Sequence, residues 1–242
     1  MKSKFCNKSI FMGLLSTTPM LHLIILTRLF SHVQRLCHTD EGDALLEFKD
    51  CFIIRRNASG DPLAYPKVAS WSPKEKDDCC SWDGVECDEH NSHVIALNLI
   101  SSCLYGSINS NSSLFRLSRL QTINLADNDF NGSLVPSQLS HLPSLTYLDL
   151  SSSGFSGQIP LEISQLSNLS FLALSLNQLK LKRPDFSTFV RNLSKIKYLS
   201  LSHVDISSPI PSFLANFSSL TSPQFPNSNV WEIPTPTVLV QD

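Results

Sequence analysis

The sequence has no G-x-S-x-G turn, no glycine-rich phosphate loop ending in Lys-Ser or Lys-Thr, and no H-E-x-x-H. It therefore lacks a nucleophile elbow, a nucleotide cradle and a zinc-hydrolase pair. The nearest approach, Gly154-Phe155-Ser156-Gly157, falls in the register of a repeat and reads as one of its corners. No other residues assemble a catalytic, cofactor or metal site, so the chain is expected not to be an enzyme. An excess of one charge is lacking too. Lys and Arg number 19 against 21 Asp and Glu, and a net charge of −2 argues against a dedicated nucleic-acid binder. Beyond the N-terminus, no apolar run approaches the ~20 residues a membrane-spanning helix needs.

What is present is a repeat. The pattern x-L-x-x-L-x-L-x-x-N-x-L-x-G-x-I-P is plainest at Leu145, Leu148, Leu150, Phe155, Gly157, Ile159 and Pro160. Units begin at Val94, Leu120, Leu145, Leu169 and Ile196, in steps of 26, 25, 24 and 27 residues. Leucines at fixed offsets with this period define a leucine-rich α/β solenoid, in which each coil buries its apolar residues against its neighbours. Five coils are expected over residues 93–221, followed by an irregular, proline-bearing tail over 222–242 with no leucine ladder.

In each coil the L-x-L core, such as Leu148 and Leu150, predicts a short strand with its leucines inward and the intervening residues outward. Asn128 and Asn177 keep the asparagine position, where a buried amide bonds turn backbone that no sheet partner reaches. Ser102 and Ser153 are shorter stand-ins, and Val204 cannot bond, which predicts a looser fifth coil. Gly106, Gly132 and Gly157 suit a backbone conformation unfavourable to other residues. The fourth coil lacks this glycine and carries Lys180-Leu181-Lys182-Arg183-Pro184, which is expected to protrude as a loop.

The N-terminus, with Lys2, Lys4 and Lys8 ahead of apolar stretches from Ile10 to Leu26, reads as a secretory signal over residues 1–36, with a signal anchor as the alternative. Six cysteines remain: Cys37, Cys51, Cys79, Cys80, Cys87 and Cys103. In an oxidising compartment an even set indicates disulfides. One of the adjacent pair Cys79-Cys80 can close the short loop to Cys87 while the other reaches back to Cys37. Cys51 and Cys103 are left as a further bridge or as two buried thiols. Cys80, Cys87, His90 and His93 have ligand-like spacing, but secreted chains oxidise such cysteines. Glycosylation sequons occur at Asn57, Asn111, Asn131, Asn168, Asn192 and Asn216. The last three are 24 residues apart and are expected on one edge of successive coils.

Around Asp43 the apolar residues Leu45, Leu46 and Phe48 predict a helix, with Thr39 and Asp40 as capping candidates, lying across the open end of the first coil. Trp71 and Trp82 add large apolar area there. The runs Asp43 to Lys49, Ala69-Ser70-Trp71, Asp78 to Asp88 and His93 to Leu99, together with Ser113 to Leu117 and Leu120 to Phe130, resemble the ectodomains of plant receptor-like proteins of the disease-resistance and elicitor-receptor type. The resemblance implies a right-handed plant-type coil and a helical, disulfide-bonded N-terminal cap over residues 37–92. It also implies recognition of a microbial or developmental signal, a plasma-membrane location on the extracellular side, and partner kinases reached through a distant membrane helix. The family has more coils, a C-terminal cap and that membrane helix, so the chain reads as truncated, or as a secreted apoplastic product.

Two functions from different classes follow. One is a receptor-type module for a protein or peptide ligand, held on outward strand positions. Tyr147, Phe171 and Tyr198 fall in one column on adjacent coils, with Asp149, Ser175, Ser200 and His203 as further candidates. The other resembles the secreted leucine-rich inhibitors of pectin-degrading enzymes. Its partner would be pectin or a secreted microbial enzyme, met by the basic cluster Lys180, Lys182, Arg183, Arg191, Lys195 and Lys197.

Overall fold

The computed structural model describes residues 36–73, 78–183, 185–206 and the backbone of 238–239. All but the last residue of the expected signal sequence, the sequon at Asn216 and all but two residues of the tail lie outside them. The elements in chain order are α1 (Thr39–Lys49), β1 (Phe52–Ile54), β2 (Val85–Cys87), β3 (Val94–Asn98), β4 (Leu104–Gly106), β5 (Thr122–Asn124), β6 (Tyr147–Asp149), β7 (Ser156–Gln158), β8 (Phe171–Ala173), β9 (Gln178–Leu181), α2 (Phe186–Asn192), β10 (Tyr198–Ser200), β11 (Asp205–Ile206) and β12 (Val238–Leu239). Among the described residues no helix is long and apolar enough to cross a membrane.

The L-x-L cores form one seven-stranded sheet, in the order β12-β10-β8-β6-β5-β3-β2. Pairing is parallel from β3 to β12, and β2 closes the cap end antiparallel to β3. Leu97, Leu99, Ile123, Leu125, Leu148, Leu150, Leu172, Leu174, Leu199 and Leu201 are at most 1% exposed, as the alternation required. A second parallel sheet, β7-β9-β11, runs along the opposite side. Short 3-10 turns (Ser113–Arg116, Ser137–His141, Leu161–Gln165) close the first coils, and α2 replaces this turn in the fourth.

The insertion in that coil does not protrude as expected. Lys180 and Leu181 extend β9, which pairs with both β7 and β11, and Leu181 is fully buried. Asp185 then caps α2, its carboxylate accepting from Thr188 N at 2.9 Å. The extra residues thus lengthen a paired strand and turn a 3-10 turn into an α-helix, which satisfies backbone that a loop would leave to solvent. The tail also departs from expectation, since Val238–Leu239 pair with Leu199–Ser200 of β10.

Asn128 and Asn177 behave as the repeat predicted, each making five backbone bonds. Asn128 Oδ1 accepts from Ser102 N and Leu104 N, while its Nδ2 donates to Leu99 O, Leu125 O and Ala126 O at 2.8–3.1 Å. Asn177 repeats this with Ser153 N, Phe155 N, Leu150 O, Leu174 O and Ser175 O. Ser153 keeps one of the links to the preceding coil, donating its hydroxyl to Leu125 O at 2.8 Å.

One backbone device has no signature in the residue types. The residue preceding each asparagine-type position is left-handed: Ser101, Asp127, Ser152, Leu176 and His203 have φ between 50° and 66°. A branched side chain tolerates this conformation poorly. Leu176 is 56% exposed, so little packing opposes its replacement. Leu176→Asn is expected to raise unfolding free energy by about 0.5–1 kcal/mol, measured by urea denaturation. A loss of stability would refute this account of the turn. Among the glycines, Gly157 is left-handed (φ 81°), whereas Gly106 is kept for proximity. A Cβ there would lie 2.7 Å from Cys51 O and 2.9 Å from the Phe52 ring.

The cap is helical and doubly bridged, with Cys37 bonded to Cys79 and Cys80 to Cys87. The second bond consumes two of the four residues with metal-like spacing. Cys51 and Cys103 are free, Cys103 buried as one alternative expected and Cys51 exposed against it. They lie beyond opposite ends of the antiparallel β1–β4 pairing, whose register runs from Phe52↔Gly106 to Ile54↔Leu104, so they cannot bond each other. Neither Thr39 nor Asp40 caps α1. The N-cap residue is His38, whose ring instead bonds Asn91 O and stacks on His93 at 3.9 Å. Glu41 is buried. Its carboxylate accepts from Val94 N at 2.8 Å and meets His93 Nδ1 at 3.1 Å, tying α1 to β3. Trp71 and Trp82 stack at 5.6 Å, with Trp71 Nε1 donating to Asp83 O.

Candidate ligand-binding face

Parallel pairing in strict register arranges the outward residues of the large sheet in rows. One row is Ala96, Thr122, Tyr147, Phe171 and Tyr198, and the next is Asn98, Asn124, Asp149, Ala173 and Ser200. The aromatic column read from the sequence is therefore a physical stack. Tyr147 lies on Phe171 at 4.1 Å and 11°, and Phe171 on Tyr198 at 4.3 Å and 7°. The strand spacing of 4.7–4.9 Å imposes this near-contact on any aromatics in register.

The rings reach across to the second row. Ala173 and Ser200 of the second row are themselves buried, at 4% and 5% exposure. Burial pushes the Tyr147 hydroxyl well above the ordinary tyrosine range, with the nearby Asp149 charge adding to it. Burial raises the Tyr198 hydroxyl in the same way. Asp149 is also raised by burial, against the hydrogen bonds from Ser151 and Tyr147 that favour its charged form.

Asp149 has a local backbone duty. Its Oδ1 accepts from Ser151 N at 2.9 Å and Ser151 Oγ at 2.6 Å. Asn98 bonds Ile100 N and Asn124 bonds Ala126 N in the same way, so the second row also terminates the strands. Of the other candidates, Ser175 lies past the end of β8, where its carbonyl accepts from Ser152 N and Asn177 Nδ2. His203 is exposed in the left-handed turn and not on a strand. The face therefore brings together Tyr147, Asp149, Phe171, Tyr198 and Ser200, with Ser175 and His203 along its margin.

Sequence reasoning missed Asp127. Its carboxylate accepts from Gly60 N at 2.7 Å, Asp61 N at 3.2 Å and Ser101 Oγ at 2.7 Å, while its carbonyl accepts from Ser59 Oγ. It thereby fastens the loop after β1 onto the second coil. An aspartate where other coils carry serine, leucine or histidine was the available signal.

The basic residues do not gather on this face. Lys180 is on β9, Arg191 on α2, Lys182 pairs with Asp205 at 3.2 Å, and Lys195 donates to Asn168 Oδ1 at 2.7 Å. Of the sequons, Asn57, Asn111, Asn131 and Asn192 are exposed and Asn168 is half-buried. Asn168 and Asn192 do not align as their 24-residue spacing suggested. The 27-residue step sets Lys195 beside Asn168, and Asn192 bonds Ser164 instead.

Residues 38–88 match the leucine rich repeat N-terminal domain family and residues 144–166 the leucine rich repeat family. The chain is 40% identical over 222 residues to receptor-like protein 6 of Arabidopsis thaliana, covering 82% of itself and 22% of that protein. It is 40% identical over 201 residues to receptor-like protein Cf-9 of Solanum pimpinellifolium, covering 79% of itself and 23% of the relative. It thus spans about a fifth of these relatives' length. Among solved structures, a chain of the Arabidopsis BIR3–SERK2 complex is 34% identical with a TM-score of 0.58, over 73% of this chain and 88% of that one. The Arabidopsis HAESA ectodomain bound to an IDA peptide hormone is 28% identical with a TM-score of 0.58, over 74% and 31%. The chain belongs to the leucine-rich-repeat receptor ectodomains of plants, and its similarity to receptor-like proteins is carried by the N-terminal cap and the coils that follow it.

Proposed function

We propose that this chain is an extracellular recognition module of a receptor-like protein, taking a protein or peptide ligand across β6, β8 and β10. The observation that carries the reading is the stack Tyr147, Phe171 and Tyr198. It sets three half-buried aromatic residues side by side on an outward face whose fold does not need them. The inward leucines complete the core, and the equivalent positions on β3 and β5 are Ala96 and Thr122. Aromatics presented in this way contribute disproportionately to association. The two cap disulfides fit an oxidising compartment outside the cytosol. Solved relatives that pair with a peptide hormone or with a SERK-type partner support a similar use here, with a co-receptor kinase engaged alongside the ligand.

A photo-reactive residue at Tyr198, with the same probe at Gln165 as control, tests this against the peptide fraction of apoplastic fluid. The expected result is a discrete adduct from position 198 that is lost in Phe171→Ala, and none from position 165. Equal labelling at both positions would sink the proposal.

A further inference from the structure

The stack ends abruptly at Tyr147. The row continues as Thr122 and Ala96, so the Tyr147 ring face turned toward the cap carries no second ring. At this step the next row presents the Asp149 carboxylate, flanked by Asn124 and Ala173. The charge on Asp149 is not required by its turn, because Asn98 and Asn124 make the same bond to the N–H two residues on with neutral amides. A carboxylate therefore stands half-buried where an asparagine would do the structural work without the desolvation penalty. Among the described residues it forms no salt bridge. The outward positions of the strands and their turns include no Lys or Arg, while Asp127 adds a second carboxylate committed to the cap loop.

We propose that the step formed by the Tyr147 ring face, Thr122, Asn124 and Asp149 is a subsite for a cationic side chain of the ligand, a guanidinium above all. This rests on the ligand-face reading above and gives it a chemistry. A planar cation can lie on the free face of Tyr147 and share the Asp149 carboxylate, while Asn124 Oδ1, which accepts one bond from Ala126 N, keeps a second lone pair at the rim. The raised protonation tendency of Asp149 accords with a buried acid lacking a positive partner, and an arriving cation would reverse it.

The chain has four tyrosines, so ring-labelled tyrosine yields one set of signals each for Tyr65, Tyr105, Tyr147 and Tyr198. Tyr105 lies on β4, outside the large sheet, and Tyr65 is held at the turn of the first coil by its bond to Ser101 O, so both serve as comparison signals. The probe is acetyl-Gly-Gly-Arg-Gly-Gly-amide, with norleucine and glutamate versions, titrated into the full chain and followed by NMR. The arginine peptide is expected to shift Tyr147 saturably, and the other two are not. Asp149→Asn should weaken the effect about tenfold or more while leaving the spectrum folded. Tyr147→Leu, which keeps the carboxylate, should weaken the binding read from the peptide's own arginine signals. Equal shifts from arginine and norleucine peptides, undiminished binding in Asp149→Asn, or shifts confined to Tyr65 or Tyr105 would overturn the proposal. Photo-labelling from position 198 does not depend on this charge. An adduct there with no arginine selectivity rejects the cation subsite alone, and loss of both rejects the face.

Discussion

Asn177→Leu is expected to lower the unfolding free energy by about 3–5 kcal/mol, although leucine has the same branched heavy-atom skeleton as asparagine and the site is only 7% exposed. The change strands Ser153 N and Phe155 N, for which Asn177 Oδ1 is the acceptor at 3.1 Å. It also removes a donor from Leu150 O, Leu174 O and Ser175 O. A buried amide without a partner is penalised by about 1–3 kcal/mol, while Ser175 O retains its bond from Ser152 N. The two stranded donors therefore dominate. Asn177→Ser, which reproduces the chemistry of Ser153, should lose less because it keeps one donor. Urea unfolding of both variants is the check, and a loss below about 1 kcal/mol for leucine would contradict the role assigned to the amide.

Phe130→Ala should be comparably damaging, by about 3–5 kcal/mol. Phe130 has no exposed surface and sits inside a continuous run of rings. Phe48 of α1 meets Phe52 at 4.9 Å, Phe52 meets Phe130 at 5.7 Å, and Phe130 stacks on Phe155 at 4.8 Å. Truncation opens a cavity in the second coil and removes the ring that links the cap to the third. Phe130→Leu keeps much of the volume and should lose only about 1–1.5 kcal/mol. Calorimetry should show a fall in melting temperature several times larger for alanine than for leucine. Equal shifts would mean that the gap closes by local collapse.

The repeat was legible because its driving force is periodic. Leucines at fixed offsets leave one way to bury themselves, and register then aligns Tyr147, Phe171 and Tyr198 without any contact being known in advance. The asparagine positions were legible for a similar reason, since a polar residue at a buried offset must find backbone. The cap was less so. Glu41, Asp127 and the β1–β4 pairing depend on residues tens of positions apart, and such contacts leave no period to read. The fourth coil misled because an insertion was equated with a loop, whereas Leu181 and Phe186 carry its apolar pattern onward into β9 and α2. Spacing also misled at Asn168 and Asn192, where equal separation in sequence met coils of unequal length.

The alternation of asparagine and shorter residues grades the seams between coils. Asn128 sends three bonds back into the first coil, Ser153 sends one into the second, Asn177 sends three into the third, and Val204 supplies no side-chain bond to the fourth. In a molecule whose stability sums over neighbouring units, these side-chain staples group the first four coils as two doublets, while the fifth is joined to the fourth by backbone pairing and the Lys182–Asp205 contact. The aromatic stack spans the second staple and the unstapled seam beyond it, with Tyr147 and Phe171 on the stapled side and Tyr198 on the other. A ligand lying across all three rings would act as a clasp, and its binding energy would register as slower amide exchange in the fifth coil before any change in the first four.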